Sequence, residues 1–138
     1  MSLLVKTFYQ EEKEDLRLEL IAGHKGLGTR YITVVDVYRP MLALAGFTEY
    51  FLKERILIIG KTETAYLATL KPAQQKKAIK TVTSFTPPCM IVAEGLDIPR
   101  DLIVEASRLS VPLFRTSIST TPFIHQLTNY LSFKLAPR

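Results

Sequence analysis

Tryptophan is absent from these 138 residues, and cysteine occurs once. The lone Cys89 excludes an internal disulfide framework and fits a reducing cytoplasm. Together with His24 and His125 it is too sparse and too scattered to suggest a metal centre. No apolar run approaches the roughly 20 residues needed to span a bilayer, so no membrane segment is expected. The opening Met1-Ser2-Leu3-Leu4-Val5-Lys6 lacks the basic flank and long apolar stretch of a signal peptide. There is no internal repeat, no low-complexity tract and no long structureless stretch, which argues for one domain. No local cluster of serine, histidine and carboxylate stands out, although such a triad need not be local.

What is present is an ordinary globular composition, 47% hydrophobic and 22% charged, long enough to bury a core without disulfides or metals. The net charge of +5 admits nucleic acid, acidic protein or phosphate-bearing partners without choosing among them.

Periodicity organises the chain. Leu3 to Lys13 suits a short helix with Leu4, Val5 and Phe8 apolar. Leu16 to Ile21 alternates, which predicts a half-buried strand ending at the loop Gly23-His24-Lys25-Gly26-Leu27-Gly28. Tyr31 to Val37 is rich in β-branched residues and predicts a second strand. Pro40 opens a short apolar turn that ends at Gly46. Arg55 to Ile59 and Cys89 to Ala93 are apolar runs that predict buried strands. Helical spacing recurs over Thr62–Leu70, with Ala65, Tyr66 and Leu70 on one side, and through Ala78, Ile79 and Val82. It returns behind Pro99 with Asp101 in the first turn, where a negative charge suits the helix dipole. Val111 to Phe114 predicts a short strand. Thr121 with Pro122 starts a last helix striped by Phe123, Ile124, Leu127, Tyr130 and Leu131. Strand and helix alternate through the second half, so the expected fold is α/β, a mostly parallel sheet flanked by helices.

Three patterns invite a chemical reading. Gly60-Lys61-Thr62 follows a strand as the tail of a phosphate-binding loop would. Such a loop also needs a glycine before its four-residue spacer, so that several backbone N–H groups face the phosphates. That position is Arg55, and Ile56 to Ile59 are strand-like, so the expected structure is a strand-to-helix turn with Thr62 capping. Gly23 to Gly28 has the wrong glycine offsets for a dinucleotide fingerprint and precedes a strand where the fingerprint opens a helix. Lys71, Lys76, Lys77 and Lys80 gather around one helix without the interleaved aromatics of single-strand binders, and read as a solvated face. Arg39 and Arg55 sit beside strand ends, where open α/β sheets gather ligands. They serve equally well as ion-pair partners for Asp36, Glu49 or Glu54.

Asp36-Val37-Tyr38-Arg39-Pro40-Met41-Leu42-Ala43-Leu44-Ala45-Gly46-Phe47, followed by Glu54-Arg55-Ile56-Leu57-Ile58-Ile59-Gly60-Lys61-Thr62-Glu63, resembles the N-terminal domain of bacterial HPr kinase/phosphorylase. The blocks Pro88–Leu96 with Ile98-Pro99, Val111–Thr116, and Leu127–Leu131 with Leu135–Arg138 resemble that family in the same order, from about Leu18 onward. Met41 departs from it, standing where the family usually has glycine. The resemblance implies a fold shared with the substrate-recognition domain of a Mur amide ligase. It also implies a longer parent whose C-terminal half carries the catalytic loop, with Arg138 just ahead of an inter-domain linker. That parent would phosphorylate a serine of HPr, a carrier of the sugar phosphotransferase system, using ATP or pyrophosphate with magnesium, and would remove the phosphate by phosphorolysis. The implied partners are its own catalytic domain, other subunits of a hexamer, and HPr.

The expectation is therefore a single non-catalytic domain over 1–138, cytoplasmic, with no catalytic residue, cofactor or metal of its own. Asp36, Arg39, Pro40, Gly46, Arg55, Gly60 and Glu63 are the structural or interface candidates. A free-standing ligand-binding module is the alternative, and a nucleic-acid binder on the Lys71–Lys80 face is a more remote one.

Overall fold

A computed structural model describes residues 1–137. Its main sheet has five strands: β2 (Glu19–Ala22), β4 (Val37–Tyr38), β5 (Ile56–Ile59), β6 (Met90–Val92) and β7 (Leu113–Arg115), in the order β2-β7-β6-β5-β4. The four strands from β4 to β7 are parallel, and β2 closes the β7 edge antiparallel, opposing Glu19 to Arg115. A second sheet pairs β1 (Leu3–Leu4) with β3 (Tyr31–Ile32).

The apolar runs at Ile56–Ile59 and Met90–Val92 have a physical cause: both faces of these strands are covered. The period of two sends Leu57, Ile59, Met90, Val92 and Leu113 to one face. There they meet α2 (Met41–Leu44), α3 (Lys61–Ala68), α4 (Pro72–Thr83) and α5 (Arg100–Leu109) through Ala43, Leu67, Ile79 and Ala106. Ile56, Ile58, Ile91 and Phe114 face the other side, against α1 (Val5–Glu12) and α6 (Thr120–Lys134) through Phe8, Phe123, Leu127 and Leu131. Strands β4 to β7 lie side by side in chain order. Crossovers of one hand taken in one direction place α2 to α5 on a single face. Only the connection after β7 changes face, since α6 packs opposite α5.

Several local expectations shift. The strand expected over Tyr31–Val37 is two short ones, β3 and β4, in different sheets. β-Branched composition favours extended backbone without naming a partner, and this segment leaves one sheet to join another. The strand expected from Leu16 begins at Glu19, because Arg17 has φ 50°, a left-handed conformation that interrupts a ladder. Leu16 and Leu18 are buried all the same. Helix α3 buries Glu63 and Leu67 and exposes Ala65, so its inner face is set by an ion pair and not by the alanine. Ser119, not Thr121, occupies the N-cap of α6, which places Pro122 later in the first turn, where an N–H is still unpaired. Gly23 to Gly28 is a tight connection, much of it a turn of 3-10 helix at His24–Gly28. Leu135 ends in irregular Ala136-Pro137, and Arg138, the last residue of the matched block, lies outside the described residues.

The glycine connection yields a paired prediction. Gly23 has φ +75°, and a Cβ there would overlap the Val111 carbonyl, whereas a Cβ at Gly28 would meet nothing. Gly23→Ala should cost about 2–3 kcal/mol in urea unfolding. Gly28→Ala should stay within about 0.5 kcal/mol of the parent. Equal losses would show that backbone conformation and close approach do not govern this turn.

Candidate functional site

At the C-terminal edge of the parallel strands, β5 ends on Gly60, the N-cap of α3. A helix N-terminus behind a strand is a ready anion site, because its first N–H groups have no partner within the helix. Here a side chain of the protein occupies that place. Glu63, only 1% exposed, accepts a hydrogen bond from the Gly60 N–H at 2.8 Å and another from the Arg39 guanidinium at 2.6 Å, both on Oε1. Arg39 reaches in from the turn after β4, and its own side chain is 38% exposed. The tight turn also accounts for the glycine. A Cβ on Gly60 would stand 2.7 Å from Arg39 Nη2 and 2.9 Å from Thr120 Oγ1. The Thr120 hydroxyl in turn donates to Glu94 Oε2 at 2.6 Å. Arg39 and Glu63 thereby tie the turns after β4 and β5, and Glu94 and Thr120 tie those after β6 and β7.

The turn is therefore closed to phosphate. The Gly60 N–H is spent on a carboxylate, and an anion approaching the N–H groups behind it would meet the Glu63 charge. Two expectations are corrected here. Thr62 is exposed and does not cap the helix; Glu63 does, from the third helical position. Arg39 pairs with none of Asp36, Glu49 or Glu54; its partner is Glu63, 24 residues downstream. The legible signal was an acid three residues behind a strand-terminating glycine.

The other expected residues fall elsewhere. Pro40 is buried at the N-cap of α2, its carbonyl accepting from the Leu44 N–H at 2.9 Å. Gly46 ends that turn with φ +106°, a conformation suited to glycine. Asp36 and Arg55 precede β4 and β5, at the opposite edge of the sheet from Arg39 and Gly60. There they line a cavity of about 500 Å³ with Glu49, Lys53 and Glu54. Arg55 reaches the Val37 carbonyl only at 3.5 Å, and it has no ion pair among the described residues. Phe51 and Phe85 stack in this cavity with centroids 4.0 Å apart. Around it Phe47, Tyr50 and Leu52 are 49%, 72% and 40% exposed, an outward apolar segment that composition alone did not reveal.

Lys71, Lys76, Lys77 and Lys80 are exposed along α4. Part of that face is neutralised by Glu105 of α5. Hydrogen bonds from Arg108 hold this carboxyl below the usual carboxylate range, and the charges of Lys80 and Lys76 add to the effect. His24 and His125 are exposed, and Cys89 is buried, so that desolvation pushes its thiol far above the usual range. Among the described residues no group of His, Cys, Asp and Glu gathers to hold a metal, and no helix is long and apolar enough to cross a membrane.

Comparison with known proteins gives a consistent result. A family model described as HPr Serine kinase N terminus matches residues 4–131. The HPr kinase/phosphorylase of Geobacillus thermodenitrificans is 39% identical over 124 residues, which cover 90% of this chain and 40% of the relative. The proteins of that name from Bacillus cytotoxicus and Bacillus mycoides are 38% and 37% identical over the same coverage. The chain thus spans about 40% of the length of these curated relatives. A solved structure of the CBS and DRTGG domains of the regulatory region of Clostridium perfringens pyrophosphatase, complexed with the activator diadenosine tetraphosphate, aligns with a TM-score of 0.55. It shares 14% identity, over 91% of this chain and 48% of that one, a likeness of fold alone.

The Arg39–Glu63 pair makes a quantitative prediction. Glu63→Ala leaves Arg39 and the Gly60 N–H without their acceptor and should cost about 2–3 kcal/mol in urea unfolding. Glu63→Gln keeps an acceptor for Gly60 and should cost less. A double-mutant cycle with Arg39→Gln should return a coupling of about 1 kcal/mol. A coupling indistinguishable from zero would mean that the pair does not hold the turn.

Proposed function

The chain belongs to the HPr serine kinase N-terminal family, the accessory region of bacterial HPr kinase/phosphorylases, and on that footing we propose that it serves phosphoryl transfer to HPr without performing it. In this reading the phosphate chemistry lies on a C-terminal catalytic domain of the same protein. That domain would use ATP or pyrophosphate with magnesium to phosphorylate a serine of HPr, and would remove the phosphate by phosphorolysis, in the cytoplasm and as part of a hexamer. The observation that carries the reading is the closed turn at Gly60. The one strand-to-helix junction here that resembles a phosphate loop has its N–H bonded to Glu63, so the residues present do not fit a nucleotide phosphate or its magnesium ion. No step of the transfer is routed through this domain.

What the domain supplies is shape and contact. Arg39, Pro40, Gly60 and Glu63 fix the turns at one edge of the sheet. At the other edge Gly46 turns the chain into the exposed Phe47–Leu52 segment, beside Asp36 and Arg55. Aromatic side chains presented outward next to charges of both signs suit contact with the catalytic domain or a neighbouring subunit.

The chain alone, given HPr, magnesium and ATP or pyrophosphate, should transfer no phosphate. The longer protein that carries it should transfer phosphate readily. Deleting this segment from the longer protein should leave turnover in place while changing its dependence on effector or protein concentration. Transfer by the isolated chain, or loss of all turnover from a deleted protein whose catalytic domain stays folded, would overturn the assignment.

A further inference from the structure

In open α/β sheets, ligands bind outside the carboxyl ends of the strands where neighbouring connections leave on opposite faces, because the diverging chains open a crevice. From β4 to β6 this sheet offers no such place, since the helices that follow all leave on one face. The divergence occurs once, between β6, which leads to α5, and β7, which leads to α6 on the other face. A pocket of about 390 Å³ lies beside it, where the turn after β6 (Gly95) meets the end of β7 (Arg115, Ser117) and the chain entering β2 (Arg17, Glu19).

Its frame is fixed. The β6–α5 turn folds back on the segment after β7, with the Glu94 N–H donating to Ile118 O at 2.9 Å and the Gly95 N–H to Thr116 O at 2.8 Å. The buried Thr116 hydroxyl donates to Leu16 O at 2.7 Å, which pins the residue before Arg17 to the end of β7. Arg17 and Glu94 both have left-handed backbone, φ 50° and 61°, without being glycine. A bulky residue held in that region is disfavoured, and such departures gather where the side chain has a task.

The electrostatics are those of an anion site. Arg17 has no hydrogen bond or ion pair from its guanidinium among the described residues. Arg115 is engaged only by Glu19, through Nη2 at 3.1 Å and Nε at 3.3 Å, and both side chains are substantially exposed, at 34% and 61%. An exposed pair of this kind contributes little and is readily exchanged. The nearby Glu94 carboxylate is turned to Thr120. Arg17, Arg115 and Ser117 then line one space.

We propose that this pocket binds the phosphate group of a small phosphate monoester. Two forks match the several terminal oxygens of a phosphate. Its charge approaches −2 at neutral pH, more than a single carboxylate carries, and it competes for Arg115 against Glu19. The pocket is larger than a phosphate alone and leaves room for a small organic group. The proposal stands on this edge of the sheet and does not depend on the activity of any longer protein.

Nitrogen-15 NMR titration of the chain with phenyl phosphate tests it, with benzoate as the carboxylate arm. Phenyl phosphate should give saturable shifts at the amides of Arg17, Gly95 and Ser117, and benzoate should bind much more weakly. Arg17→Gly relieves the left-handed strain and should raise the melting temperature, so a weakening of phosphate binding by about tenfold or more in that variant is not an effect of unfolding. Glu19→Gln removes the internal competitor and should tighten binding. Absence of saturable shifts, equal affinity for benzoate, or unchanged phosphate binding in Arg17→Gly would each overturn the proposal.

Discussion

Glu63 is a buried carboxylate that answers two donors at once, and the C-terminal edge of the sheet is arranged around it. The Gly60 N–H needs an acceptor because it begins a helix, and the Arg39 guanidinium stands beside that turn with a charge to pair. A single oxygen satisfies both. The arrangement is compact enough that a side chain at Gly60 would have to displace the Arg39 guanidinium and the Thr120 hydroxyl. The loops after β4 and β5 consequently hold one another in place, and Glu94 with Thr120 does the same for those after β6 and β7. An edge that other α/β proteins leave open to ligand is here mostly filled by the protein itself.

Topology explains why this costs the fold nothing elsewhere. Strands laid down in chain order send their helices to one face, so the loops between β4 and β6 have no reason to part. A cofactor crevice would need diverging loops, and divergence waits until β7 hands the chain to α6. That change of face is also what covers the second side of the sheet, where Phe123, Leu127 and Leu131 meet Ile56, Ile58 and Phe114. The same step leaves a pocket beside β7, at the end of the sheet where its last parallel strand meets β2.

The features legible in the sequence were those with a local cause. Ile56–Ile59 and Cys89–Ala93 are apolar throughout because they are buried on both faces, and continuous runs of that length between helical spacings identify a parallel sheet. The failed phosphate loop was legible too, since Arg55 stands where a glycine is required. What was not legible depended on partners distant in sequence. Tyr31 to Val37 reads as one strand until it is known that Ile32 pairs with Leu3 while Val37 pairs with Ile56. Arg39 had nearer carboxylates on offer than Glu63, and nothing local ranks a buried acid on α3 above an exposed one beside it. The left-handed backbone of Arg17 leaves no mark in composition, because the residue that adopts it is neither glycine nor asparagine.

Electrostatics then separate two places that share one edge of the sheet. At Gly60 the field is that of a compensated pair, negative charge inward and an arginine drawn over it, so a phosphate gains little by approaching and would have to displace Glu63 from a buried position. In the pocket beside β7 the balance is reversed: the arginines outnumber the acid, the acid is exposed, and an entering anion displaces only a solvent-screened contact. Burial decides the difference more than the count of charges does, because a carboxylate that is 1% exposed holds its donors far more firmly than one that is 61% exposed. A domain built this way turns anions away at its false phosphate loop, yet it keeps a basic pocket beside β7.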